Sequence, residues 1–130
     1  MDALLFHIQP TSPTPIYRQI ADQVRRLVAG GQLVAGDAMP SVRDMAAAHA
    51  INPMTVSKSY SLLESEGVLQ RLRGVGMAIA VQARRARPLN ERLALVEPAL
   101  DALARQSREL ELPPARVLAR LKSLLENDPS

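Results

Sequence analysis

Cysteine and tryptophan are absent from the 130-residue chain, and its only two histidines, His7 and His49, lie far apart in the sequence. Disulfide bonds and thiolate metal sites are therefore excluded, and neither metal nor redox chemistry is expected. No apolar run approaches the roughly 18 residues that span a bilayer, and residues 1–10 lack the basic start of a signal peptide. We expect a cytoplasmic protein with no membrane segment and no cofactor.

The residues that are present favour a folded domain. Hydrophobic residues make up 47% of the chain, and its formal net charge of +3 is too small to assign a partner by itself. Arginines nevertheless cluster in mid-chain with no acid between them. This cluster fits phosphate binding and fits a solvated hairpin and linker equally well. Its members are Arg71, Arg73, Arg84, Arg85 and Arg87.

Proline and glycine divide the first part of the chain into an arm and a helix. Residues 1–13 form the arm, with a short extended candidate at residues 4–8. Thr14 is predicted to cap a first helix that has Pro15 at its first position, and apolar residues recur at helical spacing as far as Gly30. The next stretch leaves room around Leu33 for only a very short strand.

A helix-turn-helix pattern follows. Ser41, with an acid three residues later, resembles a capping box and begins a short second helix that ends near His49. Asn52, followed by a proline, repeats the cap signal and begins a third helix that ends at Gly67. Two strand candidates, residues 68–73 and 77–81, then flank a glycine turn and predict a β-hairpin, the wing of a winged helix-turn-helix.

The last part of the chain is predicted to be helical. After an Arg/Pro-rich linker, residues 84–88, apolar residues step by four and three and indicate a helix seam. Pro98 lies inside this seam and is expected to kink the helix or split it in two. A last helix opens near Pro113, and the two helices together suggest a hairpin. The dimerisation residues predicted on this segment are Leu93, Val96, Leu100, Leu103, Leu118, Leu121 and Leu125.

The third helix carries the functional signal because its two sides differ. Val56, Tyr60 and Leu63 fall on one side and are predicted to be buried. The other side is small, polar and basic, which suits insertion into a major groove, although serine-rich solvated faces are common. The preceding helix, the turn and the wing favour DNA binding. The residues predicted on this side are Met54, Ser57, Lys58, Ser61 and Ser65. Arg43, in the first turn of the second helix, is placed to meet a phosphate or to pair with a neighbouring acid.

The sequence resembles the GntR family of bacterial regulators, and its YtrA-type subfamily most. The resemblance covers Pro15 to about Val81. It is carried by residues 15–20, 36–37, 39–46, 52–60 and 63–67. It implies that Arg43, Asn52, Met54, Thr55, Ser57, Lys58 and Gly74 face double-stranded DNA. The family's usual wing sequence, Gly-Lys-Gly-Thr-Phe-Val, is changed here at Val75, Met77 and Ala78, so that Arg71 and Arg73 are the wing cations that remain.

We therefore predict an α+β protein with three parts: a winged helix-turn-helix DNA-binding domain over residues 1–83, the linker 84–88, and an all-α helical dimerisation tail over 89–130. The short tail fits the YtrA type. This resemblance implies that the protein binds a palindromic operator as a homodimer and represses its own operon. No effector is assigned. The alternatives are a winged-helix module for protein–protein contact and a fragment of an aminotransferase-type fusion, although no nucleophile or paired general base supports an enzyme.

Overall fold

The computed structural model describes residues 2–81 and 88–127, in two units, Met1–Arg92 and Leu93–Ser130. The order of elements in these ranges is the predicted one: three helices, a hairpin and two further helices. This order confirms the fold class, a winged helix-turn-helix followed by a helical segment. The predicted linker, apart from Pro88, lies outside the described residues, and so do Arg84, Arg85 and Arg87 of the arginine cluster.

The N-terminal arm differs from the prediction of an extended segment at residues 4–8. Ala3–Leu5 form a 3₁₀-helix, and the Asp2 carboxylate caps it by accepting a 2.9 Å hydrogen bond from the Leu4 backbone N–H. The extended prediction rested on apolar residue types alone, whereas a local cap gives the backbone a partner without a neighbouring strand. Ala3 and Phe6 are buried in the core, which anchors the arm to the first unit.

Helix α1 spans Ile16–Ala29 and buries Ile20, Ala21 and Val24. The prediction that Thr14 is its N-cap was wrong. Pro15 occupies that position with an extended ψ of 145°, so the helix begins one residue later and no side chain caps it. The Thr14 carbonyl instead accepts a 2.8 Å hydrogen bond from the Gln19 side-chain amide.

Helices α2, Val42–His49, and α3, Pro53–Ser65, begin where the cap signals predicted. The Ser41 hydroxyl accepts from the Asp44 N–H at 3.0 Å, and the Asn52 side-chain oxygen accepts from the Met54 N–H at 2.8 Å. Each cap satisfies a backbone donor that has no partner inside its helix. Between the helices Ala50 adopts a left-handed φ of 53°, and this conformation ends α2.

The hairpin consists of strands β1, Leu69–Leu72, and β2, Gly76–Ile79, paired antiparallel. Both strands are shorter than predicted. An isolated bridge between Ala38 and Ala78 adds a third segment to the other side of β2. The predicted very short strand is therefore reduced to one bridged residue at Ala38 rather than around Leu33, whose side chain is buried.

The core of the first unit lies where α1, α2, α3 and the hairpin meet. Its largest apolar side chains are fully buried, and removing such surface from water stabilises a fold by about 25 cal/mol per Å². Met45 and Met77 both belong to this core. The core therefore fixes α3 against α1 and the hairpin. These side chains are Ile20, Val24, Met45, Val56, Leu63, Leu69 and Ile79.

Helices α4, Leu89–Glu109, and α5, Pro114–Glu126, make up the C-terminal helical segment. Pro98 lies inside α4, which continues through it, so of the two predicted outcomes the split is wrong and the kink stays a prediction. One proline removes one helical hydrogen bond, a loss that the intact turns on either side can outweigh. In the described part of the segment neither helix has a buried residue, and the two make few contacts with each other, so they do not form the predicted hairpin. Within the described ranges no helix is both long and apolar enough to cross a membrane.

Candidate nucleic-acid interface

Helix α3 has two opposite faces, as the sequence predicts. Val56, Tyr60 and Leu63 are buried, whereas the Met54 side chain is 74% exposed. Thr55 and Ser57 are half-buried at the edges of the exposed face. The result is a helix that presents serine hydroxyls, one cation, Met54 and one acid to solvent, while its other side is fixed in the core. The exposed residues of α3 are Pro53, Met54, Lys58, Ser61, Glu64 and Ser65.

A buried hydrogen bond holds α3 against the segment before α2. The Tyr60 hydroxyl donates to the Pro40 carbonyl at 2.8 Å. Burial raises the pKa of Tyr60, so the hydroxyl remains protonated and able to donate at neutral pH. The sequence predicts that Tyr60 is buried, but it gives no signal for the partner, which lies 20 residues away.

An ion-pair network connects α1 to the end of α3. Arg25 donates to both Glu66 carboxylate oxygens, at 2.9 and 2.7 Å, and to Asp22 at 2.8 Å. The hydrogen bond to Glu66 is the main cause that raises the pKa of Arg25 above its ordinary value. Sequence reasoning missed this network because Arg25 and Glu66 are 41 residues apart. The network helps to fix α3 against α1 and so holds the exposed face of α3 in place.

A groove of about 660 Å³ lies between α1 and α3, beside the exposed face of α3. The Lys58 ammonium, which sequence analysis placed on that face, sits 4.0 Å from the centre of the Tyr17 ring. A cation at this distance over an aromatic face is held by a cation–π interaction. The groove was not predicted. Its one sequence signal is that Tyr17 and Arg18 lie outside the helical spacing of the apolar residues in α1. Its lining includes Tyr17, Arg18, Arg25, Lys58, Ser61 and Glu66.

The other predicted DNA-binding residues are distributed over three elements. Arg43 is exposed in the first turn of α2, and the side-chain oxygen of Asn52 is occupied by the cap of α3. Gly74 has a φ of 79° in the hairpin turn, a backbone conformation that favours glycine. Arg71 and Arg73 are exposed beside this turn, and the Arg71 guanidinium is 4.0 Å from the Glu64 carboxylate.

The predicted dimerisation residues remain largely exposed within the single chain. Leu93 is 50% exposed, Leu118 65% and Leu125 78%, and Leu121 is half-buried. The rest of the set, Val96, Leu100 and Leu103, is also exposed on α4. In the stretches that the structure describes, no three His, Asp or Glu side chains are grouped as metal ligands would be.

The chain is similar to known proteins of one family. The family profile described as bacterial regulatory proteins, gntR family, matches residues 16–79. The chain is 45% identical over 80 residues to the HTH-type transcriptional repressor YtrA of Bacillus subtilis, a match that covers 62% of each protein. It is 36% identical over 115 residues to the uncharacterized HTH-type transcriptional regulator YhcF of the same species, covering 88% of the chain and 93% of the relative.

Among solved structures the chain is similar to YtrA from Sulfolobus acidocaldarius, which is described as a GntR-family transcription factor. The identity is 33% and the TM-score 0.53, over 76% of the chain and 97% of that structure. These relatives are transcriptional regulators rather than enzymes. The likeness extends beyond the winged helix-turn-helix, because the matches to YhcF and to the Sulfolobus protein cover nearly the whole of each relative.

Proposed function

The chain belongs to the GntR family of bacterial regulatory proteins and is a DNA-binding transcriptional regulator, and on this basis we propose that it represses its own operon by binding a palindromic operator as a homodimer. The observation that carries the proposal is the exposed face of α3. A B-DNA major groove is about 12 Å wide and admits one α-helix, and short side chains let that helix lie deep in it.

We assign the contacts by element. On α3, Met54, Ser57 and Lys58 reach base edges or nearby phosphates, with Thr55 at the edge of the face. Asn52 still has its amide N–H groups to donate, because the cap uses only its oxygen. On α2, Arg43 meets a phosphate near the positive end of the helix dipole.

The wing contributes less than the helices under this proposal. Gly74 lets the backbone approach a groove, and Arg71 and Arg73 supply the charge that Val75 does not. Arg71 has a weak ion pair with Glu64. It therefore contributes fully to DNA affinity only when its guanidinium leaves Glu64 and contacts a phosphate. We therefore expect wing substitutions to alter affinity for all sequences more than the choice among them.

The dimer and the domain limits belong to the same proposal. Residues 1–83 are the DNA-binding domain, 84–88 the linker and 89–130 the dimerisation tail. What supports this division is that the first unit has a core of its own, whereas α4 and α5 bury none of their residues in the described part of the chain. A second copy would cover the exposed leucines of both helices.

The test is selection of bound duplexes from a random DNA library by the full chain, followed by a footprint upstream of its own gene. We expect a palindrome with half-sites about one helical turn, roughly 34 Å, apart. In transcription from that promoter, added protein should lower the yield. Binding of all duplexes with one affinity would contradict the proposal and favour the protein–protein module.

Lys58→Ala and Arg43→Ala test, in the same assay, whether each cation reads a base edge or contacts only phosphate. Each should weaken operator binding by roughly 1–3 kcal/mol if the side chain reaches a base edge. Contact with phosphate alone predicts a smaller loss, equal for all sequences, with a reduced salt slope. The matched control is Arg26→Ala, which removes an exposed cation on α1 away from the groove. If both variants bind the operator as the wild type does, α3 is not the element that reads the sequence.

A further inference from the structure

The groove between α1 and α3 contains cations that differ in how they are held. Arg25 is committed to Glu66 and Asp22, and these hydrogen bonds leave it little capacity to bind a ligand. Arg18 and Lys58 are exposed, and neither forms an ion pair with an acid among the described residues. Two available cations therefore line one groove, beside a third that is structural.

Tyr17 restricts where the Lys58 ammonium lies. A lysine side chain on a helix surface samples many rotamers, and ordering such a chain costs conformational entropy. The ring of Tyr17, 4.0 Å from the ammonium, favours the rotamers that direct it over α1 rather than straight out from α3. The Ser61 hydroxyl, one turn along α3 from Lys58, adds a neutral donor to the same groove.

We propose that the α1–α3 groove is a phosphate-binding site in which Arg18, Lys58 and Ser61 are the donors and Tyr17 is the positioning residue for Lys58. The proposal rests on the proposed function: when the exposed face of α3 lies in a major groove, the sugar-phosphate backbone runs alongside the helix, where this groove opens. A groove of about 660 Å³ is larger than one phosphate and accommodates a stretch of backbone. The same three side chains would also bind the phosphate group of a small molecule.

The experiment measures duplex binding by the full chain against salt concentration, with the selected operator and with a random duplex. Arg18→Ala and Tyr17→Leu should each lower the affinity for both duplexes several-fold. The factor should be the same for the operator and for the random duplex. For each lost phosphate contact the slope of log affinity against log salt should fall by about one. Tyr17→Phe keeps the ring and should behave as wild type. Arg26→Ala is the matched control for a lost cation on α1.

A double substitution separates positioning from a purely structural effect. In a Lys58→Met background, Tyr17→Leu should cause little further loss of affinity, because the cation that Tyr17 holds is already gone. Thermal unfolding of each variant shows whether the fold is kept, and Tyr17→Phe provides the conservative substitution. An additional loss from Tyr17→Leu as large as in the wild type would overturn the positioning role.

A second arm tests phosphate from a small molecule. Inorganic phosphate is titrated into the isotope-labelled full chain at constant ionic strength, and the resonances of Tyr17, Lys58 and Ser61 are followed. Saturable shifts that Arg18→Ala abolishes, with no change of salt slope in the variants, would assign the site to a free phosphorylated ligand. Variants that match Arg26→Ala on both duplexes, together with no saturable shift, would overturn the site.

The two proposals fail in different ways. If the wild type binds the operator no more tightly than a random duplex, sequence-specific regulation fails, but the salt slopes on the random duplex still test the groove. If the operator is preferred, the groove variants match the control on both duplexes and phosphate gives no saturable shift, only the groove is refuted.

Discussion

At the scale of single residues, Ala50 adopts a φ of 53° between α2 and α3. The left-handed region costs an L-residue about 1–2 kcal/mol, and glycine avoids this cost while losing about 0.5–1 kcal/mol through its freer unfolded chain. We expect Ala50→Gly to raise the free energy of unfolding by about 0.5–1 kcal/mol, measured by urea denaturation. Ala48→Gly, at an exposed position inside α2, should lower it by about 1 kcal/mol. Equal losses from both substitutions would contradict the strain argument.

Ser59 has a buried hydroxyl that is expected to lower the stability of the first unit. Its side chain is fully buried in α3, and its hydroxyl has no hydrogen-bond partner in the described part of the protein. An unsatisfied buried hydroxyl costs about 1–3 kcal/mol, so Ser59→Ala should stabilise the first unit by about 1 kcal/mol in thermal or chemical unfolding. Ser61→Ala, on the exposed face, should change stability by less than about 0.5 kcal/mol. A destabilised Ser59→Ala variant would mean that the hydroxyl has a partner.

At the scale of elements, the Arg25 network joins α1 to the end of α3. Its side chains are 32–39% exposed, so solvent screens the charges and the network is worth about 1 kcal/mol rather than a buried-pair value. Because the pKa of Arg25 is raised, its contribution is complete below the ordinary arginine pKa. That contribution is lost only as the pH rises past this value, so it is constant near neutrality.

A double-mutant cycle with Arg25→Met and Glu66→Gln measures the coupling directly. We expect about 1 kcal/mol at low salt and less at high salt. The pair Arg105 and Glu109, exposed and one turn apart at 3.8 Å, is the internal reference and should give about 0.3–0.5 kcal/mol. A coupling for Arg25 and Glu66 no larger than this reference would show that the bidentate geometry adds nothing.

The sequence predicts the elements that depend on local chemistry and misses those that depend on distant contacts. Ser41 and Asn52 identified the starts of α2 and α3 because a cap lies within three residues of the N–H it satisfies. Pro98 left a kink and a split open, and the sequence could not exclude the split, because the continuity of α4 depends on all of its turns. The interaction of Lys58 with Tyr17 was out of reach, since it requires the packing of α1 on α3.

The candidate site divides in the same way. The exposed face of α3 follows from helical periodicity, and the structure places Val56 and Leu63 on the buried side as predicted. Which of these exposed side chains contact DNA stays a prediction. The groove beside them could not be derived from sequence, because Arg18 and Lys58 lie 40 positions apart and meet only in the folded unit.

At the scale of the whole molecule, the leucines of α4 and α5 form an apolar surface that the described part of the chain leaves uncovered. Leu100 is 42% exposed and Leu118 65% exposed, although both lie in the apolar seams of their helices. Burying a leucine fully is worth about 1.5–3 kcal/mol, and several such residues together provide enough free energy to hold two copies. In the proposed dimer, two linked recognition helices would bind the two half-sites of a palindrome in one event, so the affinity of the dimer would exceed that of either half.

The last prediction tests this coupling in the full chain. Leu100→Asp puts a carboxylate into the seam of α4 and should shift the protein from dimer to monomer in sedimentation. Its operator affinity should then approach that of a single half-site, while the melting of the first unit stays as in the wild type, because its core does not include Leu100. Ala94→Asp introduces the same charge at an exposed position on the other side of α4 and should remain dimeric. A Leu100→Asp protein that stays dimeric and binds the operator normally would place the dimer contact elsewhere, and a variant that is monomeric yet binds normally would show that one recognition helix is sufficient.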